Sequence, residues 1–156
     1  MFNGFSSQVF GVQGWSSGVI YIVLSPDAGT SISDWTDQAG GATNIYLSID
    51  EQPYSDADYV QSPAPPTSSV ARFDLSDPAS GFALGDPVVI SYRFRAGTNS
   101  GTLTVSLKQG TTLIKSWTHT GAGITTSFQT AAQTLTTTDL ASITDFTNLF
   151  IEFQAS

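Results

Sequence analysis

The run from Pro87 to Trp117 decides the fold: PVVISYRFRA over residues 87–96, GTLTVSLKQG over 101–110, and TTLIKSW over 111–117. In the first segment Val88, Ile90, Tyr92 and Phe94 fall on one face, and Val89, Ser91, Arg93 and Arg95 on the other. In the second, Leu103, Val105 and Leu107 alternate with Thr102, Thr104, Ser106 and Lys108. Successive side chains on a strand point to opposite faces, so a period of two gives one apolar and one wet face. Gly97-Thr98-Asn99-Ser100-Gly101 reads as a short hairpin link, and Gln109-Gly110 as a second turn. The expectation is an antiparallel meander whose apolar face is covered by a second sheet drawn from the rest of the chain.

The bulk properties narrow the function classes. A chain of 156 residues is one domain by size and long enough for a real core. Only 12% of the residues are charged, and Thr, Ser and Gly carry most of the polarity. A net charge of -8 with five Lys and Arg argues against nucleic acid, which needs a cationic footprint, and against an anionic membrane surface. No basic residue precedes Arg72, so no secretory signal is read, and the apolar run Val19–Leu24 is too short to span a bilayer. With no Cys, disulfides, thiolate chemistry and Cys-ligated metals are excluded together.

Outward from the central run, residues 1–18 read as an extended N-terminal arm and 19–156 as the folded domain. Phe2, Phe5, Phe10 and Trp15 are spread among Gly, Ser, Asn and Gln with neither a helical nor a strand period. They are candidate interaction anchors, because large rigid rings supply most interface energy; the alternative is an N-terminal strand tucked onto its own core. Val19–Leu24 is read as a strand ended by Ser25-Pro26-Asp27-Ala28-Gly29. Thr43–Asp50 is read as a strand with Ile45, Leu47 and Ile49 inward. Glu51–Tyr59 is an acidic turn, Tyr59–Gln61 a short strand, and Ser62–Ser69, with Pro63, Pro65 and Pro66, a loop. Val70–Leu75 turns Ala71, Phe73 and Leu75 inward, and Ser76–Asp86 is a loop. Thr125–Leu135 suits an edge strand. Thr136–Ile143 is the one helix candidate, with Thr136 and Asp139 spaced as a capping box. Leu149, Ile151 and Phe153 mark the last strand. About eight or nine short strands with one brief helix predict an all-β, two-sheet antiparallel β-sandwich of the jelly-roll kind.

Catalytic constellations are weak. The single histidine, His119, reads as structural, and no GxSxG elbow accompanies it. One His with no Cys cannot supply a zinc set. Asp50, Glu51, Asp56 and Asp58 could offer oxygen ligands to Ca²⁺, but their spacing is not that of an EF-hand and a solvated acidic loop is the reading. No catalytic residue, metal or cofactor is assigned, and the chain is read as a non-enzyme. Trp35 and Trp117 are assigned to the core. Tyr46, Tyr54, Tyr59 and Phe150 are expected on wet faces or loops, and Tyr46, Tyr54 and Tyr59 are candidate sugar-binding residues, since exposed rings stack on sugars.

Several phrases occur together: Leu24-Ser25-Pro26-Asp27 before Trp35, Asp50-Glu51 before Ser55-Asp56-Ala57-Asp58-Tyr59-Val60, then Gly101-Thr102-Leu103-Thr104-Val105, Ser116-Trp117-Thr118-His119-Thr120 and Ile143-Thr144-Asp145-Phe146-Thr147-Asn148-Leu149. With the start Met1-Phe2-Asn3-Gly4-Phe5, this pattern resembles small β-sandwich structural proteins of tailed bacteriophages and prophages. The resemblance implies a virion component assembled in the host cytoplasm: a capsid decoration (cement) or head-to-tail accessory protein, or a small tail protein. Its implied partners are the major capsid protein or other virion proteins, with the chain itself a homo-oligomer in the particle. The alternative is a carbohydrate-binding module on a phage tail or head surface, with glycans as partners.

Overall fold

The computed structural model describes residues 3–7, 11–12, 24–50, 55–66, 68–78, 88–97 and 101–156; 3–7, 11–12, 30 and 31 are described for their backbone alone. The chain is mostly β-strand with little helix. In order the elements are β1 (Asn3–Ser7), β2 (Gly11–Val12), β3 (Pro26–Ile32), β4 (Thr36–Asp37), β5 (Val60–Gln61), β6 (Val70–Leu75), β7 (Val88–Phe94), β8 (Thr102–Gln109), β9 (Thr112–Thr120), β10 (Gln129–Thr134), α1 (Thr137–Ala141) and β11 (Leu149–Ala155). They form two antiparallel sheets. A six-stranded sheet runs β10-β7-β1-β5-β4 with β2 also on β7, and a five-stranded sheet runs β3-β6-β11-β8-β9.

The alternation in the sequence becomes alternation in burial. Val88, Ile90, Tyr92 and Phe94 of β7 are buried, as are Ala71, Phe73 and Leu75 of β6, Leu103, Val105 and Leu107 of β8, and Leu149, Ile151 and Phe153 of β11. These residues, drawn from both sheets, belong to one hydrophobic cluster. The Tyr92 ring on β7 meets the Phe153 ring on β11 edge-on at 6.4 Å, and Phe153 meets Phe73 at 6.1 Å. Each large apolar side chain taken from water contributes about 1.5–3 kcal/mol, so the inner faces supply most of the driving force. Trp35 is also wholly buried, its Nε1 donating to the Ser69 carbonyl at 3.2 Å, and Trp117 packs half-buried on the cluster.

Three sequence expectations need correction. β7 and β8 are not a hairpin: they lie in different sheets, and the chain crosses between layers after Phe94. Two consecutive amphipathic strands can bury their apolar faces by pairing side by side or by facing each other across a core, and alternation does not distinguish these. Gly110, at φ 57, does close a true hairpin between β8 and β9. Second, Ile45–Ser48 is a 3₁₀ turn rather than a strand, entered through Asn44 in the left-handed region. Ile45 and Ile49 are 1% exposed while Leu47 is 56% exposed. Apolar residues four apart fit a helical turn as well as a strand, and Leu47 decides between them. Third, the predicted turn from Ser25 to Gly29 lies mostly within β3. Pro26 can open this strand because β3 is a sheet edge, and its register shifts twice along β6.

The C-terminal part follows the sequence closely. β10 is a polar edge strand. α1 carries the capping box: Thr136 Oγ1 accepts from the Asp139 amide at 3.1 Å, and Asp139 Oδ2 accepts from the Thr136 amide at 2.9 Å. Ile143 is buried and Leu140 packs on the core. At the other end, the backbone of β1 pairs with β5 and β7, and that of β2 with β7. Residues 19–23 and 79–87, read respectively as strand and mainly as loop, lie outside the described residues.

The turn at Ile45–Ser48 has a direct check. Ile49→Ala is expected to lose about 2–5 kcal/mol in urea denaturation, as a buried truncation does, whereas Leu47→Ala is expected to stay within about 0.5 kcal/mol. Comparable losses at both positions would restore the strand.

Candidate functional site

The outward face of the six-stranded sheet gathers the rings and cations. Arg93 and Arg95 follow the outward parity of β7, opposite to buried Tyr92 and Phe94. β10 pairs with β7 so that Thr130 stands opposite Arg93 and Gln129 opposite Phe94, which sets Phe128 beside Arg95. The hydrogen bond from the Ala96 amide to the Thr125 carbonyl, 2.7 Å, continues the pairing past the strand end. Tyr59, just before β5, closes the group: its ring lies 6.0 Å from that of Phe128 at an interplanar angle of 56°. The Arg95 guanidinium carbon lies 4.9 Å from the Phe128 centroid and 5.3 Å from the Tyr59 centroid. A cation over a ring face is held by the ring quadrupole.

Arg93 is tied down differently. Its Nε and Nη2 donate to the Asp56 carboxylate at 2.8–3.0 Å, and its Nη1 donates to Thr130 Oγ1 at 2.9 Å. This two-pronged pairing fixes planar geometry as well as charge, and it anchors the acidic loop to the sheet. Asp58 in the same loop accepts from Gln38 Nε2 at 3.1 Å.

Inside the molecule a second polar group spans the layers. Tyr92 Oη on β7 lies 2.7 Å from His119 Nε2 on β9. The His119 ring also packs against Phe94, with centroids 4.3 Å apart. Burial holds the imidazole below its ordinary 6.5. Burial also pushes the Tyr92 phenol up to about 12, against a lowering hydrogen bond from Gln133 of β10. The Tyr92 hydroxyl and His119 Nε2 share one hydrogen bond whose donor is set by the imidazole tautomer. The partner of His119 in this contact is a phenol kept protonated.

The remaining candidates are dispersed. Tyr46 lies in the 3₁₀ turn and packs on the core, with no ring partner among the described residues. Tyr54 and Glu51 lie outside the described residues, as do Phe2, Phe10 and Trp15; Phe5 is described only as backbone in β1, opposite Phe94 and Val60. Phe150 is covered by Arg72, whose guanidinium carbon is 3.6 Å above the ring. Arg72 and Lys108 both pair with Glu152 on the outward face of the other sheet, at 3.6 and 2.6 Å. Asp27, Asp74 and Asp77 line a polar cleft with Thr147 and Asn148. Burial and then Asp27 raise the Asp74 carboxyl, with Arg72 opposing. Among the described residues no three acidic or imidazole side chains converge as metal ligands.

Of the three tyrosines, then, Tyr59 alone stands in a described cluster of rings and cations. Its neighbours Arg93, Arg95 and Phe128 were not picked out as site residues from the sequence. The signal was present: two of the five basic residues sit two apart on one predicted outward face. What the sequence lacks is the pairing that brings Phe128, from a distant segment, beside Arg95. Comparison with known proteins adds nothing to this geometry: no family model, no curated protein and no solved structure matches the chain.

The Tyr92–His119 contact predicts a pH dependence. Because the folded-state pKa of His119 lies below its unfolded value, the folded state binds fewer protons there, so His119 supplies stability fully above 6.5 that is lost as pH falls below it. Asp74, raised by burial, acts in the opposite sense, and Asp139, held low first by the Thr136 amide, loses its contribution only below 3.8. Urea midpoints measured from about pH 7.5 down to about pH 5 should therefore fall in the wild type and stay flatter in His119→Gln. Parallel curves for the two proteins would rule the contact out as their source.

Proposed function

We propose that this chain is a non-enzymatic structural protein of a tailed-phage particle, most simply a capsid decoration protein, built as a β-sandwich of the jelly-roll kind. Support for the sandwich comes from the connectivity: β6, β7 and β8 lie alternately in the two sheets, as do β9, β10 and β11, the traffic expected of Greek-key and jelly-roll windings.

The observation behind an assembly role is the open edge at β9. This strand runs nine residues, Thr112–Thr120, and among the described residues only β8 pairs with it. The opposite edge, β3, opens with Pro26 and is interrupted by two register shifts, devices that discourage strand addition. β9 has one register shift, near its start, opposite Leu107 and Lys108, and the exposed Leu113 stands there at 54% exposure. An unpaired row of amides and carbonyls beside exposed side chains is a template for a strand from another chain. In this reading β9 docks on a capsid or other virion protein, and Phe2, Phe10 and Trp15 supply a second contact. A protein that binds only the assembled lattice stabilises that lattice by mass action, and repeated copies around symmetry axes add avidity.

A second reading, a carbohydrate-binding surface, is favoured by one specific observation: Tyr59 and Phe128, both partly exposed, form an aromatic platform flanked by Arg95 and Thr130.

Immunolabelling of purified tailed particles tests the assembly reading. The full chain should label intact particles in a fixed pattern. Leu113→Lys with Thr118→Lys, two exposed positions on β9, should lower incorporation at least about tenfold, since charged residues blunt an edge, while leaving the melting temperature unchanged. Absence of the chain from intact particles, or full incorporation of the doubly charged variant, would count against it.

A further inference from the structure

The cations of this chain are few, and among the described residues all but one meet a carboxylate. Among the described residues Arg72 and Lys108 meet Glu152, Arg93 meets Asp56, and Lys115 meets Asp139 at 3.2 Å. Arg95 meets no carboxylate there. Its Nε is buried without a hydrogen-bond partner among the described residues, and its guanidinium rests against the rings of both Phe128 and Tyr59. A guanidinium positioned by aromatic rings has already lost much of its rotamer freedom, so less entropy remains to be lost when it receives an anion.

The surroundings define which anion. Tyr59 and Phe128 are partly exposed, so ring surface remains for an apolar face. A hydroxyl stands on the same face: Thr130 of β10, opposite Arg93, accepts from Arg93 Nη1 at 2.9 Å. The local charge is sparse. Asp56 neutralises Arg93, Asp58 is two residues away, and the whole chain carries -8. Such a surface repels a dense polyanion yet can accept a single carboxylate presented on an otherwise neutral, hydroxyl-rich ligand.

We propose that Arg95, Tyr59 and Phe128 form a binding site for an acidic sugar, a uronic-acid unit within a glycan. Its carboxylate pairs with the terminal nitrogens of Arg95, and the apolar face of its pyranose ring lies on Tyr59 or Phe128. The assignment rests on the carbohydrate reading and is independent of the particle reading.

Calorimetric titration of the full chain with glucuronate- and galacturonate-containing oligosaccharides, beside neutral oligosaccharides of equal length, tests it. The acidic sugars should bind, more weakly as salt rises. Arg95→Gln should weaken them at least about tenfold, and Arg95→Lys, which keeps charge but loses the planar fork, should recover only part of the loss. Phe128→Leu, which keeps an apolar side chain, provides a second variant should the Arg95 substitutions unfold the protein, and it should weaken binding as well. Equal binding of neutral and acidic sugars, unchanged in Arg95→Gln, overturns the acidic-sugar assignment and leaves the carbohydrate reading standing. Failure to bind any saccharide, or binding of acidic peptides alone, overturns both.

Discussion

A phenol hydroxyl buried between two apolar sheets must find partners, because an unsatisfied one costs about 1–3 kcal/mol. Tyr92 is fully buried, and its hydroxyl is satisfied from both layers: by His119 on β9 and by Gln133 on β10. These two strands are the outer edges of their sheets on the same side of the core. Hydrophobic burial alone is non-directional and would tolerate small slides of one layer over the other. A hydrogen bond of 2.7 Å between layers does not, so Tyr92 sets the relative position of the sheets where their edges meet. The Tyr92 ring contacts with Phe94 and Phe153 then carry that position into the middle of the core.

Charge works on the outside in a complementary way. Glu152 on the central strand β11 draws Lys108 from β8 and Arg72 from β6, so one carboxylate bridges three neighbouring strands. Asp56 fastens the acidic loop to β7, and Asp139 both caps α1 and holds Lys115 of β9. Partly exposed pairs of this kind contribute modestly one by one. Asp56 and Asp139 matter by position, since they join segments that the backbone ladder does not connect, whereas Glu152 reinforces strands that the ladder already pairs.

The strand faces were legible because burial on one side imposes strict alternation, and β6, β7, β8 and β11 obey it residue by residue. α1 was legible because Thr136 and Asp139 form a local motif that needs no tertiary context. What the sequence could not convey was partnership. Val88–Phe94 and Leu103–Leu107 look alike whether paired in one sheet or placed in two, and they lie in different sheets. Ile45 and Ile49 satisfy two periods at once, so the turn they occupy depended on where Leu47 points. The cluster around Arg95 was hidden for the same reason: its three side chains come from residues 59, 95 and 128, and only the pairing of β10 with β7 and the placement of β5 unite them. Tyr59 could be singled out alone, but not its company.

The position of β11 has a consequence for how the protein comes into being. Residues Leu149–Ala155 lie in the middle of the five-stranded sheet, flanked by β6 on one side and β8 on the other. On a ribosome, β6 and the β8–β9 hairpin emerge long before the strand that joins them, and each presents an unpaired inner edge until residue 155 has been synthesised. Local hairpins form in microseconds, whereas pairings that close long loops wait for their partner. Until β11 is made, β6 and β8 lack their shared neighbour and the core lacks Phe153. Completion of the five-stranded sheet thus waits for β11, and the assembled sheet exists only on chains made through to that strand.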